Sequence, residues 1–134
     1  MTTQAQCLCG KVQLTVADLN PNFTVCHCRS CLQWNGGPLM MSPCGQAVEL
    51  SGSDAIREYD SSPWAVRAFC QHCGTHLYSR FKQDNSYSLP VGLFAGQQFT
   101  MVMQYFIDRK PDYYCFSNDT DTLNSAQIAE LYGQ

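Results

Sequence analysis

Seven cysteines stand at spacings that let neighbouring thiolates point at one ion. Cys7 and Cys9 form C-x-C, Cys26, Cys28 and Cys31 form C-x-C-x-x-C, and Cys70 and Cys73 form C-x-x-C. Thiolates are soft, charged donors, and such clusters suit a tetrahedral cation such as zinc. The chain has nine cysteines in all, an odd number that cannot pair completely as disulfides. The opening Met1-Thr2-Thr3-Gln4-Ala5-Gln6 has neither the basic start nor the apolar run of a secretory signal, so a reducing, cytoplasmic setting is expected. In that setting clustered cysteines are metal sites far more often than disulfides.

One tetrahedral ion takes four ligands, so seven thiolates divide most simply into four and three. Metal ribbons commonly join two short cysteine pairs from distant parts of a chain, which puts Cys7 and Cys9 with Cys70 and Cys73. A closed site of this kind holds structure and does no chemistry; structural zinc can supply roughly 10–16 kcal/mol of apparent binding energy. Cys26, Cys28 and Cys31 remain. Three protein ligands with an open fourth position is how catalytic zinc is arranged, and three thiolates suit a soft sulfur ligand better than a hydrolytic water. The alternative is a fourth ligand that closes this site as well and makes it structural.

Three histidines and two further cysteines are the remaining imidazole and thiol donors in the chain. His27 lies between two ligands, so its ring should point away from the metal, and His72, inside the C-x-x-C turn, should face solvent. His76 is a candidate ligand or proton carrier, set against the commoner reading of a strand histidine. Cys44 and Cys115 lack partners at metal spacing and read as buried, inert thiols.

The elements that must position these residues are mostly strands. Val12-Gln13-Leu14-Thr15-Val16 alternates apolar and polar, the pattern of a half-buried strand. Phe23-Thr24-Val25 leads into the central cysteines, and strand-like segments follow at 47–50, 65–69, 76–80, 87–93 and 99–107. One helix is expected, Ser125–Tyr132, capped by Asn124 and ended by Gly133. With 134 residues, 45% hydrophobic and 14% charged, the chain reads as one folded domain over 1–134 and not as a disordered segment. Its net charge is −3, and beyond Lys110 it has no Lys or Arg, which argues against nucleic acid as a partner. No apolar run reaches the roughly 18–20 residues of a membrane helix.

As a set, these motifs resemble the glutathione-dependent formaldehyde-activating enzyme family. The resemblance lies in Cys7-Leu8-Cys9-Gly10-Lys11-Val12, in Val25-Cys26-His27-Cys28-Arg29-Ser30-Cys31 with Gly36-Gly37 after it, and in Phe69-Cys70-Gln71-His72-Cys73-Gly74-Thr75-His76-Leu77. The later segment Phe106–Tyr114 is similar to that family's C-terminal segment, which more often has Trp where Tyr113 stands. The resemblance implies a mainly β, Mss4-like tent of two twisted antiparallel sheets with zinc knuckles. It also implies the same partition of ligands: structural zinc on Cys7, Cys9, Cys70 and Cys73, and catalytic zinc on Cys26, Cys28 and Cys31.

The associated activity is that of a carbon–sulfur lyase. It joins the thiol of glutathione to formaldehyde, giving S-hydroxymethylglutathione, or runs the reverse. Two Zn2+ per chain and small-molecule thiol and aldehyde partners follow from this resemblance. Arg29, inside the catalytic cluster, is a candidate contact for a substrate carboxylate, which suits a guanidinium. Backbone amides at Gly36 and Gly37 are candidates for steadying a developing alkoxide, and Trp34 for a pocket wall. Lys11, Arg57 and Arg67 are further cations for an anionic substrate. The rival reading is a non-catalytic zinc-binding module that presents a protein-interaction surface. Exposed strand edges leave room for a homodimer.

Overall fold

In the computed structural model, which describes every residue from Met1 to Gln134, the alternating segment near residue 14 is a strand. Leu14 and Val16 are fully buried and Gln13 is exposed, as the alternation requires. The fold is mainly β: eleven strands in two sheets, with two α-helices and three short 3-10 turns. The chain divides into two units, Met1–Pro21 with Ser42–Gln98, and Asn22–Met41 with Phe99–Gln134.

In the first unit β1 (Thr3–Gln6), β2 (Gln13–Val16) and β5 (Val48–Ser51) form a three-stranded antiparallel sheet in the order β1-β2-β5. Gly52 ends β5 at φ +79, and a Cβ there would overlap the Lys11 carbonyl oxygen, so the position requires glycine. A meander follows: β6 (Ile56–Asp60), β7 (Ala65–Cys70), β8 (His76–Phe81) and β9 (Tyr87–Pro90), each antiparallel to the next. Along β7 every second residue, Val66, Ala68 and Cys70, faces inward. The β7–β8 register shifts at Ala68/Phe69, and this irregularity lets the consecutive residues Leu77 and Tyr78 both be buried.

The second unit holds β3 (Asn22–Cys26), α1 (Arg29–Asn35), β10 (Thr100–Tyr105), β11 (Asp121–Leu123) and α2 (Ser125–Tyr132). β4 (Leu39–Gly45) is divided between the units, and its first residues pair antiparallel with β3. α2 has the expected bounds. Asn124 and Gln127 make a reciprocal capping box, Gly133 ends the helix in the left-handed region, and Ile128 is buried.

Two expectations are corrected. The sheets are not wholly antiparallel, because β10 runs parallel to both β3 and β11. Parallel pairing needs a long crossover, and both connections here are long enough to supply one. α2 is not the only helix, since α1 occupies the stretch after the central cysteines. No helix is long and apolar enough to cross a membrane.

Candidate metal centres

The first cysteine cluster lies wholly in the first unit. Cys7 and Cys9 follow β1 in a tight turn, where Gly10 N–H donates to the Cys7 carbonyl and Cys7 N–H to the Val12 carbonyl, each over 3.0 Å. Cys70 ends β7, and the turn after it is closed by Gly74 N–H to the Cys70 carbonyl at 2.8 Å. The two turns bring four Sγ atoms within 4.8 Å of one another. Cys7 Sγ is 3.6 Å from Cys9 Sγ, and Cys9 Sγ is 3.8 Å from Cys70 Sγ. Four sulfurs about 2.3 Å from one zinc would stand about 3.8 Å apart at tetrahedral corners, so the set fits that ion.

Electrostatics point the same way. The Thr75 hydroxyl, with backbone hydrogen bonds, holds Cys73 down to about 5. Cys9 is pushed up to about 11: the Lys11 amide favours its thiolate, but burial and the three neighbouring thiols oppose it. Burial resists ionisation of Cys7, yet the Val12 amide, 3.3 Å from its sulfur, and the Cys9 and Cys70 thiols leave it below the usual value. Four close sulfurs cannot all ionise alone, and a divalent cation removes the conflict.

Thr75 is the residue that sequence reasoning missed here. Its oxygen accepts Leu8 N–H over 3.0 Å and lies 3.1 Å from Cys73 Sγ, so it touches both turns. A hydroxyl two residues beyond a C-x-x-C pair was the available signal.

The second cluster lies wholly in the second unit. Cys26 ends β3, Cys28 is the N-cap of α1, and Cys31 lies in its first turn. Cys28 Sγ accepts Cys31 N–H over 3.4 Å, a sulfur in the role usually taken by a Ser or Asp oxygen. Gly36, at φ +75, ends the helix by donating its N–H to the Leu32 carbonyl over 2.8 Å. The three sulfurs lie within 4.8 Å of one another, and Cys31 packs with Leu39 and Met41 against Cys26 and Cys28. The Cys28 and Cys31 thiols, with burial, push Cys26 far above the usual thiol value. Three sulfurs competing for charge again fit a cation, here with three protein donors.

α1 also lines an open cleft of about 420 Å³, formed by Arg29, Leu32, Gln33, Arg109, Pro111 and Tyr113. Arg29, Leu32 and Gln33 follow i, i+3, i+4 spacing and so share one helix face. Trp34 is half-buried and is not among the lining residues. The Gly36 amide is committed to the helix end, which removes it as an alkoxide donor. Lys11, Arg57 and Arg67 belong to the other unit.

His27 is fully buried, with Nδ1 2.6 Å from the Tyr114 hydroxyl and Nε2 2.8 Å from Gln104 Oε1, so it is no ligand. Burial pushes its pKa down, and the Lys110 charge adds to this against the Gln104 hydrogen bond. His72 is exposed, as expected, and His76 joins neither sulfur group. Cys44 is buried beside Ser42, but Cys115 is exposed and so departs from the buried thiol expected.

Residues 2–109 match the sequence model of the family described as glutathione-dependent formaldehyde-activating enzyme. The chain belongs to this family. All seven clustered cysteines of the glutathione-dependent formaldehyde-activating enzyme match lie inside that stretch, whereas Tyr113 and Tyr114 lie beyond it. A protein of Schizosaccharomyces pombe named as an uncharacterized lyase is 36% identical over 127 residues, covering 93% of each chain. A crystal structure of a Rhodobacter sphaeroides protein superposes with a TM-score of 0.60 at 20% identity. It covers 70% of this chain and 89% of that one, a likeness of fold.

Proposed function

We propose that the chain is a zinc-dependent lyase-type enzyme that joins a small, glutathione-like thiol to formaldehyde or a related small electrophile, or runs the reverse. The observation that carries this reading is the contrast between the two sulfur groups, one of four donors and one of three. We assign Cys7, Cys9, Cys70 and Cys73 to structural zinc, and Cys26, Cys28 and Cys31 to a zinc with an open position. Family membership and the lyase name of the fission-yeast relative support the reaction class.

Bound there, zinc would stabilise a thiolate or polarise an aldehyde oxygen. The sulfur–carbon bond forms as the carbonyl π pair moves to oxygen, which then takes the proton the thiol gave up. The protein's own share is orientation, which turns a chance encounter into a held pair. Arg29 and Arg109 in the α1 cleft suit a substrate carboxylate, Gln33 can donate to it, and Leu32, Pro111 and Tyr113 give apolar walls.

The test is exchange between free formaldehyde and its glutathione adduct, followed by carbon-13 NMR with zinc counted per chain. Faster exchange with wild type than with Cys31→Ser supports the reading. Equal rates from a wild type that holds two zincs would remove the enzyme and leave a zinc-binding module.

A further inference from the structure

The hydrogen bonds around His27 have a single direction. Gln104 Nε2 donates to Thr120 Oγ1 over 3.1 Å, and the Thr120 hydroxyl donates to the Asp121 carbonyl over 2.9 Å. The Gln104 amide is thereby fixed with Oε1 toward His27, so His27 Nε2 carries the proton and donates it over 2.8 Å. In the neutral ring Nδ1 is then an acceptor, and the Tyr114 hydroxyl donates to it over 2.6 Å. The opposite tautomer would set two acceptors against each other at Gln104.

Packing reinforces this chain. The Tyr114 ring stacks on His27 with centroids 5.5 Å apart and planes at 28°, and Phe116 lies 6.0 Å from the same imidazole. Lys110 Nζ donates to the carbonyls of Tyr114 at 2.6 Å and Pro111 at 3.1 Å, and stands 5.3 Å from the Tyr114 ring centre. His27 N–H is taken by the Tyr105 carbonyl at 3.1 Å. The residue between two thiolate donors is therefore held by its backbone amide, both ring nitrogens and its ring face.

We propose that Tyr114 and His27 are positioning residues for the three-thiolate site. They hold the Cys26–Cys28 backbone so that three mutually repelling sulfurs stay converged without a fourth protein ligand. The proposal rests on reading Cys26, Cys28 and Cys31 as a metal site with an open position. Tyr114 lies outside the stretch that matches the family, which ends at residue 109. Part of the grip on His27, the Tyr114 hydroxyl and ring, thus comes from beyond that stretch, while Gln104 and Tyr105 lie within it.

The test compares wild type, Tyr114→Phe and His27→Gln, each loaded with zinc and separately with cobalt(II). Tyr114→Phe keeps the ring and its stacking and removes only the donor. The readouts are metal affinity by chelator competition and the sulfur-to-cobalt absorption of each site. The second metal should be held about ten- to a hundredfold more weakly in both variants, the range for losing an outer hydrogen-bond partner. Its cobalt band should shift while the four-thiolate band stays. Equal retention of the second metal in wild type and both variants overturns the proposal. So does joint loss of both metals from Tyr114→Phe, which would mark a general folding defect. A wild type that binds one metal overturns this proposal and the enzyme reading together. Loosening of the second metal in both variants, alongside a wild type with no thiol–formaldehyde chemistry, upholds positioning and overturns only the reaction.

Discussion

Thr75 Oγ1 lies 3.1 Å from Cys73 Sγ and accepts Leu8 N–H over 3.0 Å. One hydroxyl therefore ties the Cys7–Cys9 turn to the Cys70–Cys73 turn and is the largest influence holding Cys73 down to about 5. Thr75→Val keeps the shape and removes both bonds. It should cost about 1–2 kcal/mol of stability and weaken metal at this cluster about tenfold. Thr75→Ser should restore most of both, as read by calorimetry and zinc competition.

Cys31→Ser and Cys73→Ser should behave differently. The first should remove one metal and leave a cooperative melt. The second should lose the ion that joins residues about 60 positions apart in sequence, and with it most of the roughly 10–16 kcal/mol that structural zinc supplies. Metal analysis and thermal melts of both variants check this, and matching melts would contradict the division into structural and open sites.

Acid should weaken one ion pair. Glu58 accepts Arg80 Nη2 at 2.8 Å on one oxygen and the Tyr78 hydroxyl at 2.6 Å on the other. The Arg80 hydrogen bond, aided by that of Tyr78, holds its carboxyl below the ordinary value against partial burial. Its stabilisation is therefore fully present above the unfolded value of about 4.3 and is lost as pH falls through the folded value. With the Glu58 side chain 36% exposed, water screens the pair, and Glu58→Gln should cost about 1 kcal/mol or less at neutral pH. Urea melts should show a constant gap from wild type down to about pH 5, narrowing below it. A gap that widens in acid would refute the assignment.

Gly52→Ala tests a backbone demand. A side chain at φ +79 costs about 1–2 kcal/mol, and its Cβ must also displace the Lys11 carbonyl. A loss above that range is expected from urea unfolding, with the α1 cleft and its ligands unaltered. Stability equal to wild type would mean that the β5 end relaxes freely.

Local signals were legible in the sequence. Asn124 and Gly133 bracket α2 because each end is set by its own side chain or its absence. Leu14 and Val16 mark β2 because one face of that strand is buried. The grouping of the cysteines into four and three followed from their spacing and from the four-ligand rule. α1 was missed because its cap is a cysteine sulfur and its seven residues bury only Cys31. β1, Thr-Gln-Ala-Gln, carries no apolar alternation to announce it. The Thr75–Leu8 and Tyr114–His27 contacts join residues 67 and 87 positions apart, and no local pattern encodes which distant hydroxyl will arrive.

The partners of His27 also set a timetable for assembly. All four sulfurs of the first cluster have been synthesised once Cys73 is added, whereas Gln104 and Tyr114 come about 30 and 40 residues later. At translation rates of about 5–20 residues per second, that delay is about 2–8 seconds. A nascent chain thus holds all four sulfurs of the first group before the Gln104 and Tyr114 partners of His27, the residue between Cys26 and Cys28, have been made.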